Sequence, residues 1–398
     1  MSTLERDRDA TRQELAGPAD LVLANARIVL PDGVIRGAVA IADGCIADIS
    51  EGTGRPAGAE DCEGQILIPG LVELHTDNLE KHLRPRPGVN WPRAAAVVAH
   101  DGEIAAAGIT TVFDAVRAGT LRAPVSSFEG VRYAREVVHE IRRLVEARAL
   151  RIDHLLHIRA EICSEAVLDE LAEFAPEDRV RIVSIMDHTP GQRQFVDESK
   201  YRLYYQGKHG LSDAEMDAFV AYTKALSAER GLRHEEGAVA HARRLGAVLA
   251  SHDDTTEAHV ARSVEIGVDF AEFPTTRAAA AAYARAGTPV LMGAPNLLRG
   301  GSHSGNVAVE ELLSDGLLDI LSSDYAPSSL LMGAMRLADL TGDLPGAVRT
   351  VTAAPADAAG LADRGRLAPG LRADIAQVAR FDGVDVVTGV WSAGRQVG

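Results

Sequence analysis

The stretch LVELHTDNLEKH, residues 71–82, begins as a hydrophobic strand and then delivers His75, Asp77, Glu80, Lys81 and His82 in quick succession. A solvated turn would account for such a change of character. So would a metal site at the mouth of a barrel, and the rest of the sequence decides between them.

Short apolar runs like the one that opens this stretch recur along the middle of the chain. They are QILIPGLVELHTD, GITTVFDAV, DHLLHIRAEI, VRIVSIMDH, AVLASHDD, GVDFAEFP, TPVLMGAPN and LLDILSSDYAP. Segments of helical periodicity separate them, among them SDAEMDAFVAYTKALSAERG, RHEEGAVAHARRLG and RAAAAAYARAG. Eight such strands alternating with helices over residues 66–364 predict a (β/α)8 barrel of the TIM type, a fold that takes ~250 residues plus insertions. A doubly wound open sheet is the alternative, but no GxGxxG follows the first strand, which leaves a dinucleotide fold with little support.

The two ends of the chain read differently. Residues 18–65 and 365–398 alternate apolar and polar positions around PDG, ADG and FDG turns, the pattern of short antiparallel strands. They are expected to pair into one small β-sandwich domain that flanks the barrel. Residues 1–17, rich in charge, read as a polar leader with the composition of a disordered segment.

Composition narrows the function. Hydrophobic residues at 46% and charged residues at 25% are ordinary for a globular protein with a substantial core. A formal net charge of −16 argues against nucleic acid or an anionic membrane as partner, while leaving small anions free to bind where local charge is positive. Cys45, Cys62 and Cys163 form neither a disulfide framework nor a CxxC pattern, which fits a reducing compartment. With no signal-peptide pattern at the N-terminus and no apolar run of the ~20 residues that a membrane span needs, a cytoplasmic protein is expected.

Metal-ligand residue types fall at the predicted C-terminal ends of the strands. The first strand ends in His75 and Asp77, the third in Glu161, the fourth in His188, the fifth in His252 and the eighth in Asp324. Taken singly each has an ordinary explanation: a hydrogen-bonded histidine, a solvated carboxylate, a capped turn. Taken together they match the way barrel enzymes build a site from several strand ends. His75 and Asp77, two apart on a strand, share a face. Imidazoles and carboxylates without thiolates suit Zn²⁺, Mn²⁺, Ni²⁺ or Fe²⁺, and six candidates exceed one tetrahedral site, so two ions are expected. Asp324 is the candidate to orient water and accept its proton, with His252 beside it as a second catalytic candidate.

The architecture resembles the amidohydrolase superfamily, with PGLVELHTD similar to its first-strand motif and RLAPGLRADI to its return to the β domain. LVELHTDNLEKHLRPRPGVNWP, IMDHTPGQRQF, ASHDDTTEAHV, EFPTT, MGAPNLLRGGSHSGN and LSSDYAP resemble, more narrowly, its phosphonate-metabolism branch in the carbon–phosphorus lyase pathway. Those are the α-D-ribose 1-methylphosphonate 5-triphosphate diphosphatases. The resemblance implies hydrolysis of a phosphorylated sugar to pyrophosphate and the 5-phosphate, with attack at the α-phosphorus, and a homo-oligomeric assembly. It carries the superfamily's metal positions to His75, Asp77, His252 and Asp324. Two departures stand out. The fourth strand has His188 in place of a bridging lysine, leaving Glu161 as the bridging candidate, and the sixth strand, AEFPTT, has no histidine.

A triphosphate needs cations and donors where charge builds. Lys81, His82, Arg84 and Arg86 follow the first ligand pair, and Gln192 and Arg193 follow the fourth strand. Lys208 and His209 lie in YYQGKHG, and Arg299, Ser302, His303, Ser304 and Asn306 in the glycine-rich loop after the seventh strand. Some basic residues of any loop serve only a solvated face. The competing functions are a C–N hydrolase, which would want a mostly neutral pocket, and a non-catalytic scaffold or phosphonate-sugar binding protein; turnover separates these.

Overall fold

The computed structural model describes residues 19–86, 88–121, 132–302 and 305–398, so the leader lies outside the described residues. At the start of the chain, β1 (Leu21–Leu30), β2 (Gly33–Ala42) and β3 (Cys45–Glu51) form an antiparallel meander. Asp43 and Gly44 make the two-residue turn between β2 and β3, both with positive φ (51° and 75°), the conformation whose twist suits a tight hairpin. Then β4 (Glu60–Asp61) and β5 (Ile66–Pro69) join β1 in parallel.

Eight parallel strands follow in sequence order. They are β6 (Leu71–Thr76), β7 (Ile109–Ala118), β8 (Asp153–Glu161), β9 (Val180–Met186), β10 (Val248–His252), β11 (Phe270–Glu272), β12 (Val290–Gly293) and β13 (Ile320–Ser322). Each of the eight apolar runs read from the sequence becomes one of them. The ring closes between β13 and β6, where Thr76 bridges to Asp324, Asp77 N–H donates to the Asp324 carbonyl at 2.9 Å, and Ser322 Oγ donates to the His75 carbonyl at 2.5 Å. Val72, Leu74, Phe113, Leu155, Ile182, Phe270, Leu291 and Ile320 fill the interior. The two predicted helical segments after residue 212 run together as one helix, Asp213–Leu245, opened by a capping box of Ser212 and Glu215.

The C-terminal strands β14 (Ile375–Phe381), β15 (Val384–Ser392) and β16 (Arg395–Gln396) return to the first sheet, β14 pairing antiparallel with β5. The expected sandwich is thus built from one continuous sheet, β16-β15-β14-β5-β1-β2-β3, curled until Ile46 N–H donates to the Leu371 carbonyl at 2.8 Å. Leu23, Ile28, Ile41, Leu67 and Trp391 pack within the curl. Ile66–Pro69, assigned from sequence to the barrel segment, belongs to this sheet instead; the chain enters the barrel at Gly70, where a Cβ would meet the Thr110 side chain at 2.2 Å. The three cysteines are free thiols, and no described helix is long and apolar enough to cross a membrane.

One polar network lies between the barrel and its helices. On β7 and β8, Asp114 and His154 alternate with the inward Phe113 and Leu155, so they face the helix Arg93–Ala106. Asp114 accepts from His100 Nε2 at 2.8 Å and from His154 Nδ1 at 2.7 Å, while His154 Nε2 reaches Asp101 at 3.3 Å and Arg151 pairs with Asp101 at 3.0 Å. The two histidines and two aspartates are all buried. Burial opposes charge on His154, but the carboxylates of Asp114 and Asp101 outweigh it and push its pKa up to about 9. A raised folded-state pKa stabilises the fold fully below the unfolded value of about 6.5, and that contribution fades as pH rises through about 9. Asp114→Asn is therefore expected to cost about 3–5 kcal/mol at pH 6.5 and to flatten the decline in stability between pH 6.5 and 9. Denaturant melts of both proteins across that range check it; parallel curves would count against the charged network.

Candidate metal centre and its loops

The site begins with the way the strands stop. β10, β11 and β13 are each followed within two residues by a non-glycine residue in the left-handed region: Asp253 (φ 60°), Phe273 (φ 52°) and Asp324 (φ 53°). Such conformations cost of order 1–3 kcal/mol and cluster where a chain is turned sharply to present a group. Here they bring the aspartates round to the mouth.

At the centre lies Glu272, the last residue of β11 and fully buried. It accepts from His75 Nδ1 at 3.2 Å, His252 Nδ1 at 3.2 Å and Ser184 Oγ at 2.6 Å. Burial would raise its pKa, but His75 and His252, which donate to it, hold it well below the usual carboxylate range. An ionised carboxylate can only accept, so both imidazoles present an Nδ1–H to it and turn Nε2 toward the aspartates. His75 Nε2 lies 3.8 Å from Asp77, and His252 Nε2 3.3 Å from Asp253. The two rings stack with centroids 5.3 Å apart.

Asp77 is ion-paired with Arg159, which overrides burial and holds the carboxyl at about 2. Burial and the nearby Asp77 charge raise Asp324, so the two carboxyls at the closing seam differ in character. Beside them Glu161 is paired with His188 and accepts from Cys163 Sγ at 3.0 Å; His188 outweighs burial and holds Glu161 at about 2. Among the described residues three groups of donor atoms lie close enough to hold a cation: His75, His252 and Glu272; His188, His252 and Asp253; Glu161, Cys163 and Asp187.

Whether these residues suit a metal is tested by the atoms left without partners. His157 donates from Nδ1 to the Leu74 carbonyl at 2.7 Å, and burial lowers its pKa to about 4, so its Nε2 is a bare lone pair 3.7 Å from Glu272. Both that Nε2 and Asp253 Oδ2 are buried without a hydrogen bond. Buried polar atoms are rarely left so. A nitrogen and oxygen donor set with idle lone pairs fits a borderline divalent cation.

Of the residues singled out from sequence, His75, Asp77, His252 and Asp324 converge, with Glu161 and His188 alongside. Glu272, Asp253, Asp187, His157 and Arg159 escaped notice. Glu272 carries a signal in the sequence, since it ends a strand as the others do, in a position where a histidine is the usual mark. The loops divide. Lys81 donates to the Tyr325 carbonyl, and Arg84 sits 5.9 Å from the centre of the Tyr133 ring. His82 is taken up by Glu103 at 2.7 Å. Arg193 is buried, bonded to the His252 carbonyl and to Asp254, both at 2.7 Å. Gln192 is held by Asp187. His82 and Arg193, expected to face phosphate, are thus each paired within the chain. Arg86 and Arg299 are exposed, and Ser302 and Asn306 half-buried. His303, Ser304 and the side chains of Lys208 and His209 lie outside the described residues.

The amidohydrolase family model matches residues 66–397. The chain is 44% identical, over 95% of its length and the whole of the other protein, to the α-D-ribose 1-methylphosphonate 5-triphosphate diphosphatase of Escherichia coli K12. Among solved structures, N-isopropylammelide isopropylaminohydrolase from Burkholderia multivorans is similar, with TM-score 0.61, 18% identity, and 95% and 97% of the two chains covered. So is N-acetyl-D-glucosamine-6-phosphate deacetylase from Mycobacterium smegmatis, with TM-score 0.60, 18% identity, and coverage of 95% and 100%. At these identities the structural likenesses speak for the fold alone.

Glu272→Gln keeps the volume but turns an amide N–H₂ toward one imidazole N–H. Chelator competition is expected to show divalent-metal affinity falling about 10- to 100-fold, as for other partners of metal-binding histidines. Unchanged affinity would remove Glu272 from the centre.

Proposed function

The chain belongs to the amidohydrolase family, and from that premise we propose that it hydrolyses α-D-ribose 1-methylphosphonate 5-triphosphate to the 5-phosphate and pyrophosphate. The observation that carries this is the likeness to the Escherichia coli diphosphatase along 95% of the chain. The converging donor cluster and the basic residues at its mouth supply chemistry that suits it.

His75 Nε2, Asp77 and Asp324 would hold one divalent ion, and His188 with Asp253 a second, with His252 Nε2 placed to serve one of the two. Such ions supply Lewis acidity, acidifying water and offsetting charge on the phosphoryl oxygens. The chain's own residues do the rest. Glu272 holds the two imidazoles in one tautomer. Arg159 keeps Asp77 ionised and aimed. The Asp324 carboxylate takes the proton of the water that attacks the α-phosphorus, and the pyrophosphate oxygen leaves in line with that attack. The apolar interior formed by Phe113, Leu155 and Phe270 fills the barrel beneath the site. A cytoplasmic setting accords with the three free cysteines.

Metal-loaded protein is expected to release pyrophosphate from this substrate, and metal-stripped protein and His75→Ala are not. Asp324→Asn is expected to lower kcat about 10²- to 10⁴-fold, the usual worth of a positioned general base. Absence of pyrophosphate with every divalent metal tried would overturn the proposal in favour of a C–N hydrolase or a binding protein on the same barrel.

A further inference from the structure

Two arginines stand side by side in the barrel mouth. Arg117 on β7 is in register with Arg159 on β8, and residues of that parity point inward on both strands, as Phe113 and Leu155 do lower down. Like charges directly opposite each other on neighbouring strands destabilise a sheet. Arg159 is neutralised by Asp77. Arg117 has no such direct partner: among the described residues its guanidinium has neither ion pair nor hydrogen bond, and its side chain is exposed. Glu80 and Glu161 are near enough to be felt, yet Glu161 is committed to His188, and Glu80 accepts from Tyr133 Oη at 2.5 Å.

Local structure holds Arg117 where it is. Its backbone N–H donates to Tyr133 Oη at 3.3 Å, and Arg84 lies over the ring of the same tyrosine. Arg117 also stands three residues further along β7 than Asp114, the partner of Thr76 at the end of β6. At ~3.3 Å per residue that sets it about 10 Å further along its strand than the residue paired with the end of β6, at the level of Arg159 and beside the donor cluster.

We propose that Arg117 binds the β- and γ-phosphates of the substrate, the part that departs as pyrophosphate; this rests on the triphosphate reading above. The pyrophosphate portion carries the larger share of the substrate's charge and gains more as its bond to the α-phosphorus breaks, so a cation gives most there. A guanidinium offers two parallel donors that match a phosphate edge, which an ammonium cannot. Arg84, stacked on Tyr133, adds positive charge on the same side of the mouth.

The test uses metal-loaded protein and inorganic pyrophosphate, measured both as an inhibitor of turnover and by calorimetry, with metal content determined after each titration. Loss of a charge-assisted pair predicts that Arg117→Ala weakens pyrophosphate binding about 10- to 100-fold, that Arg117→Lys recovers only part of it, and that inhibition by methylphosphonate is unchanged. Arg285→Ala, a surface change, controls for general charge. Pyrophosphate binding equal to wild type in Arg117→Ala overturns the proposal, and so does a loss confined to methylphosphonate. Failure of the functional reading is distinct: wild-type protein would then release no pyrophosphate from the sugar triphosphate, whatever Arg117→Ala does to binding.

Discussion

A carboxylate in the floor of the barrel mouth, Glu272, organises everything above it. Burying such a charge costs several kcal/mol unless donors surround it. The donors come from three other strands: His75 from β6, Ser184 from β9 and His252 from β10. Satisfying one residue therefore fixes the rotation and tautomer of both imidazoles and aims their free nitrogens at one volume. Asp253 and Asp324 border that volume because their own backbones turn sharply at the strand ends, and Asp77 because it stands between the end of β6 and the helix that follows. Local strain, a buried charge and a shared acceptor thus do together what no single strand end could do.

Closure of the barrel depends on a second buried carboxylate of similar design. Glu73 accepts from Ser322 Oγ and Ser323 N–H at 2.6 Å and from His75 N–H at 2.7 Å, stitching the first strand to the last. Burial raises its pKa even so. The same seam carries the Thr76–Asp324 bridge, so the residue proposed to move a proton is also a closing stitch of the ring. Closure of the barrel and assembly of the site share one seam, because the strands that meet there bring His75, Asp77 and Asp324 together.

Much of this was legible in the sequence. All eight barrel strands announced themselves as short apolar runs, and reading metal-ligand residue types at strand ends pointed to His75, Asp77, His252 and Asp324, which the fold brings together. Glu272 fits the same reading but stands where a histidine is the usual mark. Arg117 and Arg159 show a period-two signal, since His157, Arg159 and Glu161 alternate along one face of β8, but polar residues inside an apolar run do not reveal which way they point. The loop cations could not be sorted from sequence at all. Whether His82 meets a phosphate or Glu103, and Arg193 a ligand or Asp254, depends on helices that pack beside them from elsewhere in the chain. The outer network of His100, Asp114 and His154 was invisible for the same reason: its members are scattered over a helix and two strands.

The central claim is chemical, that water attacks the α-phosphorus of a sugar triphosphate at this cluster. Turnover in ¹⁸O-labelled water, with the products resolved by ³¹P NMR, addresses it most directly. The account predicts the label in the 5-phosphate of the sugar and none in pyrophosphate. Label in pyrophosphate, or release of inorganic phosphate in its place, would contradict it and move the attack to another phosphorus.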